Sequence, residues 1–275
     1  SMLLLVASIL VLFLLNLFLG SVHIPMDSIW NILWGLDGDE SVIWQNIIWK
    51  SRIPQSLTAL VAGAGLAVSG LQMQTVFRNP LAGPSVLGIS SGASLGVAFV
   101  VLLSGSIGGI ALSRLGFMGE IALTVAAIVG ALSVMALIVY VSQKVHGNVT
   151  LLIIGVMIGY VANAVIGVLK FFSVEEDIRA YVIWGLGSFA RVSGNQVTVF
   201  ICIMAVLLPL SFLLIKTLSL LLLGDAYARN LGLNIKRARL QVIACSGVLV
   251  AIVTAYCGPI TFLGLAVPHL CRGLF

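Results

Sequence analysis

Eight apolar runs, near residues 2–20, 55–76, 86–104, 118–142, 149–171, 196–215, 240–256 and 259–274, leave this chain few ways to fold. A helix crosses the hydrocarbon core of a bilayer with about 20 apolar residues. Most of these runs have that length, and short polar segments separate them. Sixty per cent of the residues are hydrophobic, 8% are charged and the mean hydropathy is +1.19; a soluble domain carries roughly 25% charged residues. A water-soluble globule could not hide so much apolar surface. The pattern specifies an all-α, polytopic transmembrane helical bundle with about eight visible spans. The last run is the weakest, because Pro259 and Pro268 bracket only a short helix, and it reads as a broken segment. The first run is longer than a signal-peptide core and lacks a basic start and a clear A-x-A site, so it reads as a membrane helix.

The segment 21–54 is too polar and too rich in tryptophan to cross. Trp30, Trp34, Trp44 and Trp49 fit a membrane interface, where an indole ring has one apolar and one wet face. Charge then sets the orientation. With the N-terminus cytoplasmic, the inner segments carry Arg78, Lys144, Lys216, Arg229, Lys236, Arg237, Arg239 and Arg272 against one acid, Asp225. The outer segments carry Lys50, Arg52, Arg114, Lys170, Arg179 and Arg191 with eight acids: Asp27, Asp37, Asp39, Glu40, Glu120, Glu175, Glu176 and Asp177. That asymmetry follows the positive-inside rule.

Small residues mark where helices approach closely. Gly88, Gly92 and Gly96 recur at every fourth position, which places them on one face of a helix and makes a smooth groove for a neighbour. Packing is the simpler use of such a face; a thin wall beside a conduit is the functional one. Gly63, Ala67 and Gly70 give the preceding helix a similar face. Gln72 and Gln74, near its inner end, are expected to bond a neighbouring helix, with Gln72 also a pathway candidate.

Several activities find no support. The chain has no G-x-x-x-x-G-K-[ST] stretch for nucleotide phosphates. Its basic residues form no aromatic-lined patch for nucleic acid. Cys202, Cys245, Cys257 and Cys271 show no C-x-x-C spacing and read as small packing residues. The three histidines, His23, His146 and His269, fall in separate segments, so no metal site is expected. Every acid lies in a loop or at a segment end, whereas an ion-coupled carrier keeps ionisable groups at the midplane. An ion-coupled secondary transporter is therefore the second choice, and energy for uphill transport would come from another subunit.

One polar island interrupts the apolar pattern. Lys216 to Arg239 holds five of the fourteen basic residues and the acid Asp225. Within it, Leu223-Gly224-Asp225-Ala226-Tyr227-Ala228-Arg229-Asn230-Leu231-Gly232 opens on an N-cap-like aspartate and stops at a glycine, the grammar of a two-turn helix. Asn234 can cap the helix that follows. A short helix lying along the membrane between two spans can pass force to them.

Four stretches, in order and at matching spacing, resemble the FecCD-type permeases, membrane subunits of ATP-driven importers for iron–siderophores, haem and cobalamin. They are Arg52-Ile-Pro-Gln55 with Gly63-Ala64-Gly65-Leu66-Ala67-Val68-Ser69-Gly70; Asn79-Pro80-Leu81-Ala82 with Leu87-Gly88-Ile89-Ser90-Ser91-Gly92-Ala93; Leu223-Gly224-Asp225 with Ala228-Arg229-Asn230-Leu231-Gly232; and Gly258-Pro259-Ile260-Thr261-Phe262-Leu263-Gly264-Leu265 with Pro268-His269 and Arg272. The resemblance covers essentially the whole chain. It implies ten spans, so a chain with about eight would stop two short at its C-terminus. It also implies one permease domain over 1–275, in the bacterial cytoplasmic membrane, with 216–239 as a cytoplasmic coupling loop.

The same resemblance implies partners and roles. Gly224, Asp225, Ala228, Arg229 and Gly232 would dock onto an ATPase, with ATP–Mg bound there and no cofactor on this chain. A second permease subunit, two ATPases and an extracytoplasmic solute-binding protein would complete the importer. Arg52 matches the first arginine of an R-x-P-R pattern that meets the binding protein. The second arginine is Gln55 here, so Lys50 is the substitute cation. His269 lies in a motif shared across unlike substrates and is expected to make a structural hydrogen bond.

Overall fold

A computed structural model describes residues 2–35, 42–108, 117–145 and 147–274. The sequence-based positions of Asp37, Asp39, Glu40, Arg114 and His146 lie outside the described residues. Thirteen α-helices and no strands occur among the described residues. They are α1 (Met2–Phe18), α2 (Met26–Trp34), α3 (Val42–Ile47), α4 (Ile53–Phe77), α5 (Ile89–Gly108), α6 (Phe117–Lys144), α7 (Asn148–Phe171), α8 (Glu175–Gly185), α9 (Asn195–Phe212), α10 (Ile215–Leu222), α11 (Asp225–Asn230), α12 (Ile235–Cys257) and α13 (Leu263–Leu274).

Each of the eight apolar runs becomes a helix, but their lengths differ from the sequence expectation. Five helical stretches are long and apolar enough to cross a membrane: Val42–Phe77, Met118–Lys144, Val149–Phe171, Asn195–Phe212 and Ile235–Cys257. The apolar parts of α1 and α5 are shorter. In the last run the chain is not helical from Gly258 to Thr261, and α13 has only 12 residues. Proline explains the shortening: Pro259 lacks an N–H to continue α12 and biases Gly258 away from helical backbone. A π-turn over Ile48–Arg52 joins α3 to α4 in one continuous helical stretch.

Polar contacts fix which helix ends lie together. Ser173 after α7 donates to the Leu102 carbonyl of α5 (3.1 Å). Gln196 at the start of α9 donates to Glu120 at the start of α6 (2.8 Å). The Ser188 amide reaches the Cys257 carbonyl at the end of α12 (2.7 Å). At the opposite end, the α4 terminus meets α10, α11 and the start of α12. The long helices therefore run up and down, as short connections between spans require.

The helices α4 and α12 form the centre. Two thirds of the most apolar window of α12 and half of that of α4 are buried within the chain, against 22% for α6, α7 and α9. Lipid or partner subunits must cover the outer three. Ser69 and Ser246 sit in the α4–α12 seam, with hydroxyls 2.6 Å apart. Gln74 donates to the Leu265 carbonyl of α13 at 3.1 Å, and Gln72 is buried with its amide 3.7 Å from Cys245 Sγ. Both glutamines thus bond neighbouring helices. A second, smaller cluster of Ile24, Ile29, Ile32 and Ile48 anchors α2 and the π-turn. It leaves Trp30, Trp34 and Trp49 exposed.

The glycine face is realised with one change. A Cβ at Gly96 would lie 2.1 Å from the Ala126 carbonyl oxygen, and one at Gly130 would lie 2.2 Å from that of Gly92, so α5 and α6 touch backbone to backbone. Gly88 is not on this face. Pro84 opens a short 3₁₀ turn over Pro84–Leu87, Gly88 ends it at φ +75°, and α5 begins one residue later. Gly88 instead packs on Gly155 and Gly159 of α7. Gly70 approaches α13, where a Cβ would lie 1.6 Å from the Gly264 oxygen.

These contacts predict opposite outcomes for one substitution. Alanine improves intrinsic helix propensity over glycine by about 1 kcal/mol, whereas overpacking costs about 1–3 kcal/mol. Gly63 has no atom within 4 Å of its would-be Cβ. Gly63→Ala should therefore keep or raise the melting temperature of the purified protein, while Gly70→Ala and Gly96→Ala should lower it. Equal melting temperatures for the three variants would contradict the close approaches.

Candidate coupling site

The polar island folds as three short steps. The helix α10 runs to Leu222, Gly224 turns the chain, and α11 occupies Asp225–Asn230. The end of α11 follows from Gly232, whose φ of +85° an L side chain rarely adopts. There the Leu233 amide returns to the Ala228 carbonyl (3.0 Å) and the Gly232 amide to Arg229 (2.9 Å). This paired return is the Schellman motif. Asn234 then caps α12, its side chain accepting from the Arg237 amide at 3.2 Å. Ala228 is fully buried and seats α11 on the bundle, while Tyr227 and Leu231 are more than half exposed.

Asp225 does something other than cap. Its helix has no side-chain cap at all. The carboxylate instead bridges two arginines: Arg78 Nη2 reaches Oδ1 at 2.5 Å, and Arg239 Nη2 reaches Oδ2. Arg78 follows the last residue of α4 and Arg239 lies in the second turn of α12. One carboxylate therefore ties the ends of the two central helices to α11. Arg78 Nη2 also donates to the Leu221 carbonyl of α10 at 3.3 Å.

The position of Arg78 has a cost. It is the one non-glycine residue with positive φ (+48°) among the described residues. Its amide returns to Thr75 (3.3 Å) and that of Asn79 to Gln74 (3.2 Å). This is the same terminal motif, built without glycine. Left-handed backbone costs an L residue roughly 1–2 kcal/mol. A partly exposed ion pair returns only about 0–1 kcal/mol, and both partners here are more than a third exposed. The gain is positional: an arginine is needed to reach Asp225 where a glycine would relax the turn.

The candidate docking arginine at the other end is differently employed. Arg52 is 5% exposed. It donates from Nη1 to the carbonyls of Leu17 (2.5 Å) and Phe18 (3.3 Å) and from Nη2 to Val22 (2.5 Å). Gly20 leaves room for it, since a Cβ there would lie 2.8 Å from Nη2. The guanidinium thus satisfies the carbonyls at the end of α1, and a surface contact with another protein would have to break those bonds. Lys50, on the neighbouring turn, is exposed. His269 is exposed too.

The sequence puts Arg78 at the same end as the polar island, as the structure does, but its bridge, like that of Arg239, is not legible there. A weak signal existed. Asp225 is the one acid on its side of the charge asymmetry, and an acid amid eight cations will find partners. Which two it finds depends on helices 147 and 14 residues away.

Comparisons with known proteins agree with the geometry. Residues 8–275 match the model of the FecCD transport family. The hemin transport system permease protein HmuU of Yersinia pestis is 36% identical over 267 residues, covering 96% of this chain and 77% of that protein. The vitamin B12 import system permease protein BtuC of Pectobacterium atrosepticum is 33% identical over 247 residues, covering 89% and 69%. A solved metal-chelate type ABC transporter in an inward-facing conformation superposes with a TM-score of 0.79 at 29% identity, over 98% of this chain and 80% of that one. The all-helical fold, the apolar spans and these matches together show an integral membrane protein that is a permease subunit rather than a catalyst: the chain belongs to the FecCD transport family of ABC importers.

Proposed function

We propose that this chain carries a metal chelate, of the iron–siderophore, haem or cobalamin class, across the cytoplasmic membrane under power from a separate ATPase. The observation that carries the mechanism is the bridge at Asp225, which fastens α11 to both central helices. ATP–Mg would bind the ATPase, not this chain. When two ATPases close on ATP, the docked 216–239 loops move, and α4 and α12 move with them as rigid bodies. Gly224, Asp225, Ala228, Arg229 and Gly232 shape and present the docking helix. Tyr227 and Leu231 add exposed apolar surface of the kind that anchors an interface.

Two permease subunits would enclose the pathway between them, with the N-terminus and α11 cytoplasmic. A solute-binding protein would dock at the Arg52 end. Lys50 is the better candidate contact there, because Arg52 is engaged within the chain. Gly92 and Gly96 serve packing, since α6 fills the face that they form. Gln72 likewise lies inside the α4–α12 seam. Ion-coupled transport has less support: the relatives are ABC permeases, and the acids of the described long helices lie near helix ends.

Arg78→Gly tests the bridge with little confusion from folding. Relief of the left-handed strain, roughly 1–2 kcal/mol, offsets the lost ion pair of about 0–1 kcal/mol. In the importer reconstituted with its ATPase and binding protein, thermal stability should change little. Substrate-stimulated transport should fall severalfold, and Asp225→Asn should behave alike. Wild-type transport by both variants would remove the bridge from the mechanism. Orientation has its own check. A cysteine placed at Arg237 in a cysteine-free background should react with a membrane-impermeant maleimide in inside-out vesicles and not in intact cells. The reverse pattern would overturn the topology.

A further inference from the structure

Beside the bridge lies a pocket of about 190 Å³ that shares Asp225, Arg229 and Arg239 with the coupling site and whose interior the coupling role leaves unassigned. It opens between the α6–α7 turn and the α11–α12 corner. Arg229, Lys236 and Arg239 line it, with Asp225 the one acid. Both oxygens of that carboxylate already accept from arginines, so the lining keeps a positive excess. The fold also leaves a donor over. Arg239 spends Nη2 on Asp225, yet its buried Nε has no hydrogen-bond partner among the described residues. A buried donor without an acceptor costs about 1–3 kcal/mol, and an anion in the pocket would supply one. The N-terminal turns of α7 and α12 contribute Gly147, Leu151, Ile235 and Lys236 to the same walls. The helix dipoles at these two N-termini favour negative charge.

Apart from Ser142, the rest of the wall is apolar: Val76, Phe77, Val145, Leu151 and Ile243. Such walls suit an anion that brings hydrocarbon with it. The pocket lies at the ends of α4, α6 and α7, three long helices read as spans, which is the depth of lipid headgroups. We propose that it binds the phosphate group of an anionic phospholipid, held by Lys236, Arg229 and Arg239 with the acyl chains along the apolar wall. Both leaflets contain phosphates, so this site does not depend on the orientation or on the ATPase reading.

Native mass spectrometry of the intact permease complex, released from nanodiscs of phosphatidylcholine with phosphatidylglycerol, tests the site. Wild type and Arg237→Gln should retain phosphatidylglycerol; Arg237 is exposed in the same segment but does not line the pocket. Lys236→Gln and Arg229→Gln should each weaken retention about tenfold, the loss of one charge-assisted contact. A second arm titrates inorganic phosphate in phosphatidylcholine nanodiscs and follows the melting temperature. If phosphate stabilises wild type and Arg237→Gln but not Lys236→Gln, while no phosphatidylglycerol is retained, the same site takes free phosphate and the lipid assignment is overturned. If Lys236→Gln and Arg237→Gln are alike in both arms, there is no phosphate site in the pocket.

Discussion

Helix ends at a membrane boundary carry carbonyls and amides that lipid cannot satisfy, at several kcal/mol for each one left unpaired in hydrocarbon. This chain meets that constraint with arginines from distant parts of the sequence. Arg52 donates to the last two carbonyls of α1 and to that of Val22 in the turn beyond it. Arg78 donates to the Leu221 carbonyl near the end of α10. In each case a side chain on or beside α4 completes another helix, so α4 is held at both ends by polar bonds to distant parts of the chain. The small residues then bring the remaining backbones into contact. The α5–α6 seam at Gly92, Gly96 and Gly130 and the α4–α13 contact at Gly70 are too narrow for side chains.

The Arg78–Asp225–Arg239 bridge grows from the same constraint and gives it a mechanical consequence. Its energy is small, because the partners are partly exposed and water screens them. What it supplies is geometry. The two most buried of the five long apolar stretches, those of α4 and α12, both have an end at one carboxylate on the first residue of α11. Under the proposed coupling role, a displacement of α11 would be transferred to the centre of the bundle rather than to its lipid-facing periphery. The left-handed backbone at Arg78 is the local strain that this arrangement carries.

Periodicity and hydropathy located the eight apolar helices because each rests on local composition. They misjudged lengths where a single residue intervened: Pro259 leaves the start of the last span non-helical, and Pro84 leaves Gly88 outside α5. Capping by Asn234 and the glycine stop at 232 were also legible, since their partners lie within five residues. Arg52 and Asp225 were not. Their bonds span 35 and 147 residues, and a charge at a helix end looks the same in sequence whether it faces a partner protein or completes its own fold. The membership in the FecCD transport family was readable from four motifs, but the motifs do not distinguish a docking arginine from a structural one.

The central claim is that α11 and the end of α4 travel together during transport. Replacing Arg78 and Asp225 with cysteines in a cysteine-free background, then joining them with a short thiol-reactive linker, tests it most directly. The account predicts that the unlinked double variant transports poorly and that linking restores ATP-driven uptake, because a covalent tie does the work of the ion pair. Linking that leaves the importer inactive, or an unlinked variant that transports as well as wild type, would contradict it.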